Sequence, residues 1–253
     1  MKPSGNTILI TGGAAGIGFA FAERFLAAGN EVIICGRRAD ALAQAVQKHP
    51  SLHTRVCDVA DPAARTALVK WVLEAFPSLN ILVNNAGMQQ RFHVLKAKEA
   101  WEAYHQEIAA NFDAPIHLTL LLAEHLARQA SSAIINVTSG LALTPAAFAP
   151  VYSATKAGLR SFTLSLRHQL EKSGVEVIEV LPPAVNTNLG GPGLHTTGEP
   201  LDAFADGVFA GLARQEKEIG YGSSQARLRA SRDELDNGTA QIWAGFMKGN
   251  PNF

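Results

Sequence analysis

The stretch Asn6-Thr7-Ile8-Leu9-Ile10-Thr11-Gly12-Gly13-Ala14-Ala15-Gly16-Ile17-Gly18 decides the fold of this chain. Its first part is a short apolar run rich in β-branched residues, which predicts a buried parallel strand. A helical pattern over 19–28 follows and stops at Gly29, so the glycines form a strand-to-helix turn. Such a turn lets a pyrophosphate approach the backbone, where the N–H groups and dipole of the helix N-terminus hold its charge. The stretch therefore predicts a nucleotide site, although its spacing of Gly12-x3-Gly16-x-Gly18 differs from the general G-x-G-x-x-G fingerprint.

Outward from this stretch, strand and helix patterns alternate along the whole chain. Strands are predicted near 6–12, 31–36, 52–57, 80–84, 132–138, 175–181 and 218–221, with helices between them that begin at signals such as Asp61-Pro62. This alternation predicts an α/β fold, namely a doubly wound, Rossmann-type parallel seven-stranded sheet with helices on both faces. The carboxyl ends of its strands would meet in one crevice.

The composition fits one large domain and limits the partners. The chain has 253 residues, of which 47% are hydrophobic and 17% charged, and we expect a single domain over 1–253. Lys+Arg and Asp+Glu number 22 each, so there is no electrostatic footprint for nucleic acid or an anionic membrane. We expect a mobile substrate loop at about 188–200, because of its glycines, and an amphipathic C-terminal extension at about 223–253.

Cysteine and histidine usage points to a reduced protein that binds no metal. Cys35 and Cys57 close the second and third strands, which would be neighbours, and we expect reduced, buried thiols there. The eight histidines show no paired spacing, so no metal site is predicted. No apolar run approaches the roughly 20 residues that span a bilayer, and we expect a cytoplasmic protein.

Ser139, Tyr152 and Lys156 carry the spacing that points most directly to chemistry. Tyr152 lies thirteen residues after the serine and four before the lysine. If a helix begins at Val151, Lys156 stacks beside Tyr152, since positions i and i+4 share a face. A cation there favours the phenolate, and we expect it to lower the tyrosine pKa from its ordinary value near ~10.

Together these residues resemble the short-chain dehydrogenase/reductase family in its compact single-domain form. The chain also has Asn84-Asn85-Ala86-Gly87 after the fourth strand, Asp58 after the third, and Asn111 inside a long helix predicted over Glu99–Arg128. These motifs follow the family's order and spacing from residue 5 to about residue 221. A closer resemblance, to the subgroup encoded with lipoteichoic-acid D-alanylation genes, is carried by Cys35-Gly36-Arg37 and by the stretches 166–170, 182–185 and 218–222.

The resemblance implies an oxidoreductase that interconverts a carbonyl and an alcohol by hydride transfer. Tyr152 would be the general acid/base, Ser139 would bind the carbonyl oxygen, and Lys156 would lower the tyrosine pKa and hold the nicotinamide ribose. Asn111 would fix a helix kink and a water. The residues implied at the cofactor are Thr11, Gly12, Gly13, Gly16, Ile17, Gly18, Arg37, Arg38, Asp58, Val59, Asn84, Ala86, Gly87, Tyr152, Lys156, Pro182, Val185 and Thr187. Pro183 replaces the glycine of the family's Pro-Gly motif and leaves the local path open.

The end of the second strand favours NADP over NAD as cofactor. An Asp or Glu there would bind both ribose hydroxyls of NAD, but the run is Ile34-Cys35-Gly36-Arg37-Arg38. Two guanidiniums beside the missing carboxylate can bind a 2′-phosphate through charge-assisted hydrogen bonds. The alternative is that Arg37 and Arg38 are solvated residues leading into the next helix, with Asp40 as its cap.

The substrate follows only by class. A pocket wall of Leu141, Leu143, Phe148, Leu189 and Leu194 favours a small neutral, largely apolar ketone, aldehyde or alcohol. Two alternatives to such an enzyme stay open: an NADP-binding redox sensor without turnover, and an isomerase or epimerase that retains bound NADP.

The two longest predicted helices also suggest an assembly. Helices over Glu99–Arg128 and Val151–Lys172 carry apolar residues beyond the stripe that covers a sheet. These are Leu118, Leu122, Leu126, Leu159, Phe162 and Leu166. In the family the same helices pair across a two-fold axis, so a homodimer or homotetramer is predicted.

Overall fold

Seven strands form one sheet in the computed structural model, which describes residues 2–253. They are β1 (Thr7–Thr11), β2 (Glu31–Gly36), β3 (His53–Val56), β4 (Leu79–Asn84), β5 (Ser132–Val137), β6 (Val175–Leu181) and β7 (Glu218–Gly220). Neighbouring strands run parallel in the order β3-β2-β1-β4-β5-β6-β7, so the order reverses between β1 and β4 and a crevice opens there. The predicted doubly wound parallel sheet is confirmed.

Helices cover both faces of the sheet. They are α1 (Gly16–Ala27), α2 (Ala39–Lys48), α3 (Pro62–Ala75), α4 (Trp101–Ile108), α5 (Ala114–Ala127), α6 (Pro150–Gln169), α7 (Leu201–Ala213), α8 (Ser223–Arg227) and α9 (Arg232–Gly249). One apolar layer joins the sheet to α1, α2 and α7, and a second joins it to α3, α5 and α6. Helix α3 begins where the sequence predicts, with the Asp61 side chain accepting a hydrogen bond from the Ala63 N–H at 2.9 Å.

The helix predicted over Glu99–Arg128 is present, but it contains a π-helical turn around Asn111. Helix α4 begins at Trp101, and a π-helical turn over Ala109–Asp113 separates it from α5. Pro115 explains the interruption, because it has no N–H to donate to the carbonyl of Asn111 four residues earlier. Asn111 lies in this turn and is fully buried.

The apolar residues predicted to face another subunit lie instead in the core of one subunit. Leu118, Leu122, Leu126, Leu159 and Leu166 are at most 6% exposed, and Phe162 packs against the same layer. The prediction is wrong because α5 and α6 are covered on more than one side, so each buries a wider face than a single stripe. These residues therefore give no evidence for an oligomer.

The segment after β7 folds as α8 and α9. Helix α9 begins with a capping box, in which the Ser231 side chain accepts from the Glu234 N–H and the Glu234 carboxylate accepts from the Ser231 N–H. Its Phe246 ring stacks on Phe148, with the ring centres 4.4 Å apart, and Phe253 packs edge-on against Phe246 at 4.8 Å. The C-terminal segment therefore covers the loop that carries Phe148.

Cys35, in β2, and Cys57, just after β3, are buried and unbridged, and a hydrogen bond to Cys57 together with burial raises the pKa of the Cys35 thiol.

Within residues 2–253, no helix has both the length and the hydropathy to cross a membrane. The same part of the chain places no three His, Cys, Asp or Glu side chains where they could hold a metal ion.

Candidate active site

The glycine turn after β1 is packed so closely that side chains would not fit. A Cβ on Gly13 would lie 2.4 Å from the Ile34 side chain, and a Cβ on Gly18 would lie 2.4 Å from the carbonyl oxygen of Gly12. Gly12 and Gly16 have φ values of +66° and +54°, which glycine adopts without strain. Helix α1 starts at Gly16, and Ile17 in its first turn packs against the core. The turn thus forms the bare backbone cradle that a pyrophosphate needs at a helix N-terminus.

The predicted adenosine contacts lie together at the ends of β2 and β3. Arg37 and Arg38 are exposed, and neither forms an ion pair with another of the residues 2–253. A Cβ on Gly36 would meet nothing within 4 Å, so there is open space at the end of β2. Asp58 accepts a hydrogen bond from the Ala60 N–H at 3.0 Å, next to Val59. Asp40 is not the cap of α2, because Arg38 precedes the helix and Asp40 lies in its first turn.

The Asn84-Asn85-Ala86-Gly87 motif joins β4 to the glycine turn. The N–H groups of Asn85 and Ala86 both donate to the Thr11 hydroxyl at 3.0 Å. The Asn84 amide donates to the Asn136 side chain at 2.9 Å, which ties β4 to β5. A Cβ on Gly87 would lie 3.2 Å from Asn111 Oδ1 and 3.6 Å from Lys156 Nζ. The motif therefore links the glycine turn to the predicted catalytic residues.

Ser139, Tyr152 and Lys156 come together at the carboxyl end of β5, and each is at most 6% exposed. Tyr152 and Lys156 lie one turn apart in α6, with Lys156 Nζ 5.7 Å from the centre of the tyrosine ring. The lysine donates to the Val137 carbonyl at 2.9 Å. The Ser139 side chain accepts from the Leu141 N–H at 3.1 Å and lies near enough to the Tyr152 phenol to lower its pKa.

Burial dominates the pKa of Tyr152, and the charge of Lys156 is not among the causes of its shift. Burial raises the pKa of the phenol to about 12, the nearby Ser139 side chain lowers it by less, and the negative charge of Glu107 raises it further. Burial also lowers the pKa of Lys156 to about 8, although Glu107 acts in the opposite direction. Spacing in the sequence reveals the lysine charge but neither the desolvation of both groups nor the nearby carboxylate. At neutral pH Tyr152 is therefore a protonated phenol.

Asn111 connects the π-helical turn to this cluster. Its side chain exchanges two hydrogen bonds with the backbone of Met88, each 2.9 Å long, and donates to the Thr155 hydroxyl at 3.2 Å. Thr155 donates in turn to the Tyr152 carbonyl at 2.8 Å. Asn111 thus holds the loop after β4 against α6, one residue away from Lys156.

Glu107 is a residue of the site that the sequence analysis missed. It is fully buried, its Oε1 accepts from the Gln90 N–H at 3.3 Å, and its Oε2 has no partner. Burial raises the pKa of this carboxyl to about 7, against weaker lowering by the Gln90 hydrogen bond and the charge of Lys156. The sequence does contain a signal for it: Glu107 lies four residues before Asn111, and this spacing places both side chains on the same face of a helix.

The loops around the site add charge that the predicted apolar wall lacks. Arg91 lies over the Phe148 ring, 5.0 Å from its centre, and its Nε is buried without a partner. His195, in the predicted substrate loop, is close enough for the charge of Arg91 to help burial lower its pKa. A Cβ on Gly190 would lie 3.0 Å from the Gln89 carbonyl oxygen, so this loop packs against the segment after β4.

The segment with Pro183 runs along the base of the substrate loop without a cis peptide among residues 2–253. The Gly140 N–H donates to the Pro182 carbonyl at 2.8 Å, and Val185 pairs with Glu199 in a short bridge. Thr187 reaches the glycine turn, since a Cβ on Gly16 would lie 3.5 Å from its side chain. Pro182, Val185 and Thr187 therefore stand between the glycine turn and Ser139.

The fold and this arrangement identify the class of protein. The short chain dehydrogenase family model matches residues 6–195, and the chain belongs to that family. It is an oxidoreductase of the short-chain dehydrogenase/reductase type with a nucleotide-binding Rossmann fold.

Comparison with individual proteins shows which members of the family this chain is similar to. The chain is 46% identical over 241 residues to the uncharacterized oxidoreductase DltE of Bacillus subtilis, which covers 93% of this chain and 96% of that protein. The predicted resemblance to this subgroup is confirmed. A short chain dehydrogenase from Burkholderia cenocepacia in complex with NADP superposes with a TM-score of 0.82 at 25% identity, over 94% of this chain and 99% of that one. One from Burkholderia phymatum in complex with NAD gives 0.81 at 21% identity, over 93% and 95%, and supports the fold alone.

Proposed function

We propose that this protein interconverts a small ketone or aldehyde and the corresponding alcohol, using NADP(H), with Tyr152 as general acid and base. The observation that carries the proposal is that Ser139, Tyr152 and Lys156 are buried together, with Lys156 one helical turn from Tyr152, at the edge of the sheet that holds the glycine cradle. A buried tyrosine and lysine with shifted pKa values beside a nucleotide site favour an enzyme over a protein that only binds the nucleotide, because such groups cluster at functional sites.

When bound, the nicotinamide supplies or accepts the hydride. Ser139 donates a hydrogen bond to the substrate carbonyl oxygen and polarises it, and Tyr152 gives its phenolic proton to the same oxygen. Since the pKa of the phenol is raised to about 12, Tyr152 holds this proton at neutral pH, which favours reduction there. Lys156 is placed to hold the nicotinamide ribose, and Asn111 keeps α6 and the loop after β4 in register.

The preference for NADP rests on Arg37 and Arg38. Both are exposed beside the open space at Gly36, and neither is engaged by a carboxylate among residues 2–253. A 2′-phosphate would give each guanidinium a charge-assisted partner. The glycine turn would hold the pyrophosphate, and Asp58 and Val59 the adenine. The NADP complex of the similar Burkholderia cenocepacia protein supports this choice.

Location and assembly belong to the same proposal. A cytoplasmic location agrees with two neighbouring thiols that are left unbridged. A homodimer or homotetramer is expected from the family, independently of the leucines that lie in the core.

A turnover screen tests the reaction. Purified protein is given NADPH with a panel of ketones and aldehydes, and NADP⁺ with secondary alcohols at pH 7 and pH 10, while absorbance at the reduced-nicotinamide band is followed. We expect reduction at pH 7 and oxidation that rises toward pH 10. Tyr152→Phe protein purified in parallel excludes contaminating reductases. Absence of any turnover above that variant, together with tight NADPH binding, would favour a sensor instead.

A further inference from the structure

Two arginines beside the site stand apart from the other sheltered arginines of the chain. Arg24 binds two aspartates, Arg160 binds Glu179 and Glu218, and Arg65 donates to a backbone carbonyl. Arg91 and Arg227 are both partly buried, yet within residues 2–253 neither guanidinium makes an ion pair or a hydrogen bond. A guanidinium keeps its charge at any physiological pH, so partial burial without a partner is unfavourable.

Both guanidiniums lie against the segment that joins Ser139 to Tyr152. Arg91 covers the Phe148 ring, four residues before Tyr152, at 5.0 Å. Arg227 Nη1 lies 3.1 Å from the place a Cβ would take on Gly140, directly after Ser139. Both positive charges therefore lie beside the segment that leads from Ser139 to Tyr152.

Arg91 is the better placed of the two to bind a substrate. It comes from the loop after β4, which packs against Gly190 of the substrate loop, and His195 of that loop lies near enough to feel its charge. Its Nε and the Nε2 of His195 are both buried without partners. A group that enters between the loop after β4 and the substrate loop would meet unused donors from Arg91.

We infer that the substrate carries an anionic group in addition to its carbonyl, and that Arg91 binds this group beside the substrate loop. The inference rests on the proposed function and replaces the neutral substrate predicted from the sequence. The ligand chemistry is that of a carboxylate, sulfonate or phosphate, all of which the guanidinium fork can bind in a bidentate way.

One series of substrates tests the charge while the acetonyl group, CH3–CO–CH2–, stays constant. The probes are 3-oxobutanoate, 2-oxopropane-1-sulfonate and hydroxyacetone phosphate, with 3-oxobutanamide as the neutral member. In the wild type we expect at least one anion to have a KM about 10- to 100-fold below that of the amide, which is the range for a charge-assisted hydrogen bond. The anion with the lowest KM shows whether the site prefers a carboxylate, a sulfonate or a phosphate. Equal KM values for all four would overturn the inference.

Variants then assign the effect to Arg91. Arg91→Gln should raise the KM of the preferred anion about 10- to 100-fold and leave the amide within twofold, with Arg91→Lys between. Arg55→Gln is the matched control, because Arg55 also lies over an aromatic ring, 5.1 Å from the centre of Trp71. An equal rise in KM for anion and amide would show that Arg91 has a structural role. A rise in KM for the anion in Arg227→Gln alone would show that Arg227, and not Arg91, binds the anionic group.

Binding separates this inference from the proposed function. If none of the probes is reduced, the reaction is in doubt, but thermal shifts of the NADPH-loaded protein still compare 3-hydroxybutanoate, 2-hydroxypropane-1-sulfonate and 2-hydroxypropyl phosphate with 3-hydroxybutanamide. Stabilisation by an anion that Arg91→Gln abolishes would support the inference. An anion that stabilises no more than the amide would overturn it. The wild-type comparison stands even if Arg91→Gln fails to fold.

Discussion

Replacing Glu107 by glutamine should stabilise the protein in a way that depends on pH. The carboxyl is fully buried, and its pKa is raised from 4.5 to about 7. The folded state therefore keeps this proton to a higher pH than the unfolded state, so stability is lost as pH rises from 4.5 through 7. Between pH 5 and pH 7.5 the loss in the wild type amounts to roughly 2–3 kcal/mol. Glutamine has the same shape and an acceptor for Gln90, but no proton to lose.

Urea unfolding at pH 5 and at pH 7.5, at one protein concentration, measures the difference. At pH 5 the variant and the wild type should be nearly equal, and at pH 7.5 the variant should be more stable by about 2 kcal/mol. Glu102→Gln, at an exposed position of the same helix, should show no such change. The lowered pKa of Lys156, about 8, acts mainly above this range. A stability difference that is the same at both pH values would refute the view that Glu107 titrates inside the site.

Three other outcomes follow from the same residues. Arg37→Ala with Arg38→Ala should weaken NADPH binding by about 2–4 kcal/mol in fluorescence titrations and leave NADH little changed, and equal losses would indicate a structural role. Glu107→Gln should also move the rise of alcohol oxidation to lower pH, since the negative charge that raises the Tyr152 pKa is gone; an unmoved pH profile would speak against this coupling. Sedimentation at micromolar concentration should give a dimer or tetramer, whereas a species of 26.9 kDa would leave the family expectation unmet.

The sheet and the cofactor crevice could be predicted because their signals are local. The apolar runs that alternate with helical patterns predict each strand to within a few residues. The turn after the first strand requires glycine, because a Cβ at Gly13 or Gly18 would lie too close to neighbouring atoms. The positions of Tyr152 and Lys156 follow from one helical turn. The π-helical turn could also be predicted from the sequence, because Pro115 lies four residues after Asn111 and has no N–H to donate to the Asn111 carbonyl.

What could not be predicted depends on contacts between distant segments. Arg91 and His195 come from two loops, whose paths no periodicity fixes, and the charge that Arg91 adds beside His195 is visible only once the loops are packed. From the sequence, the leucines of α5 suggest a contact with another subunit, because the elements that cover that helix within one subunit are not known. The pKa of Tyr152 likewise depends on how deeply it is buried and on Glu107, which the spacing of Tyr152 and Lys156 does not report.

The central claim is that Tyr152 moves the proton, and Tyr152→Phe tests it most directly. The phenylalanine ring fills the same space, so NADPH affinity should stay within about twofold, whereas kcat on the best carbonyl substrate should fall by about 10²–10⁴-fold. Tyr221→Phe, a tyrosine in van der Waals contact with Phe204, is the matched control and should keep full activity. If Tyr152→Phe kept a tenth or more of the wild-type kcat, another group would have to supply the proton, and the account would be wrong.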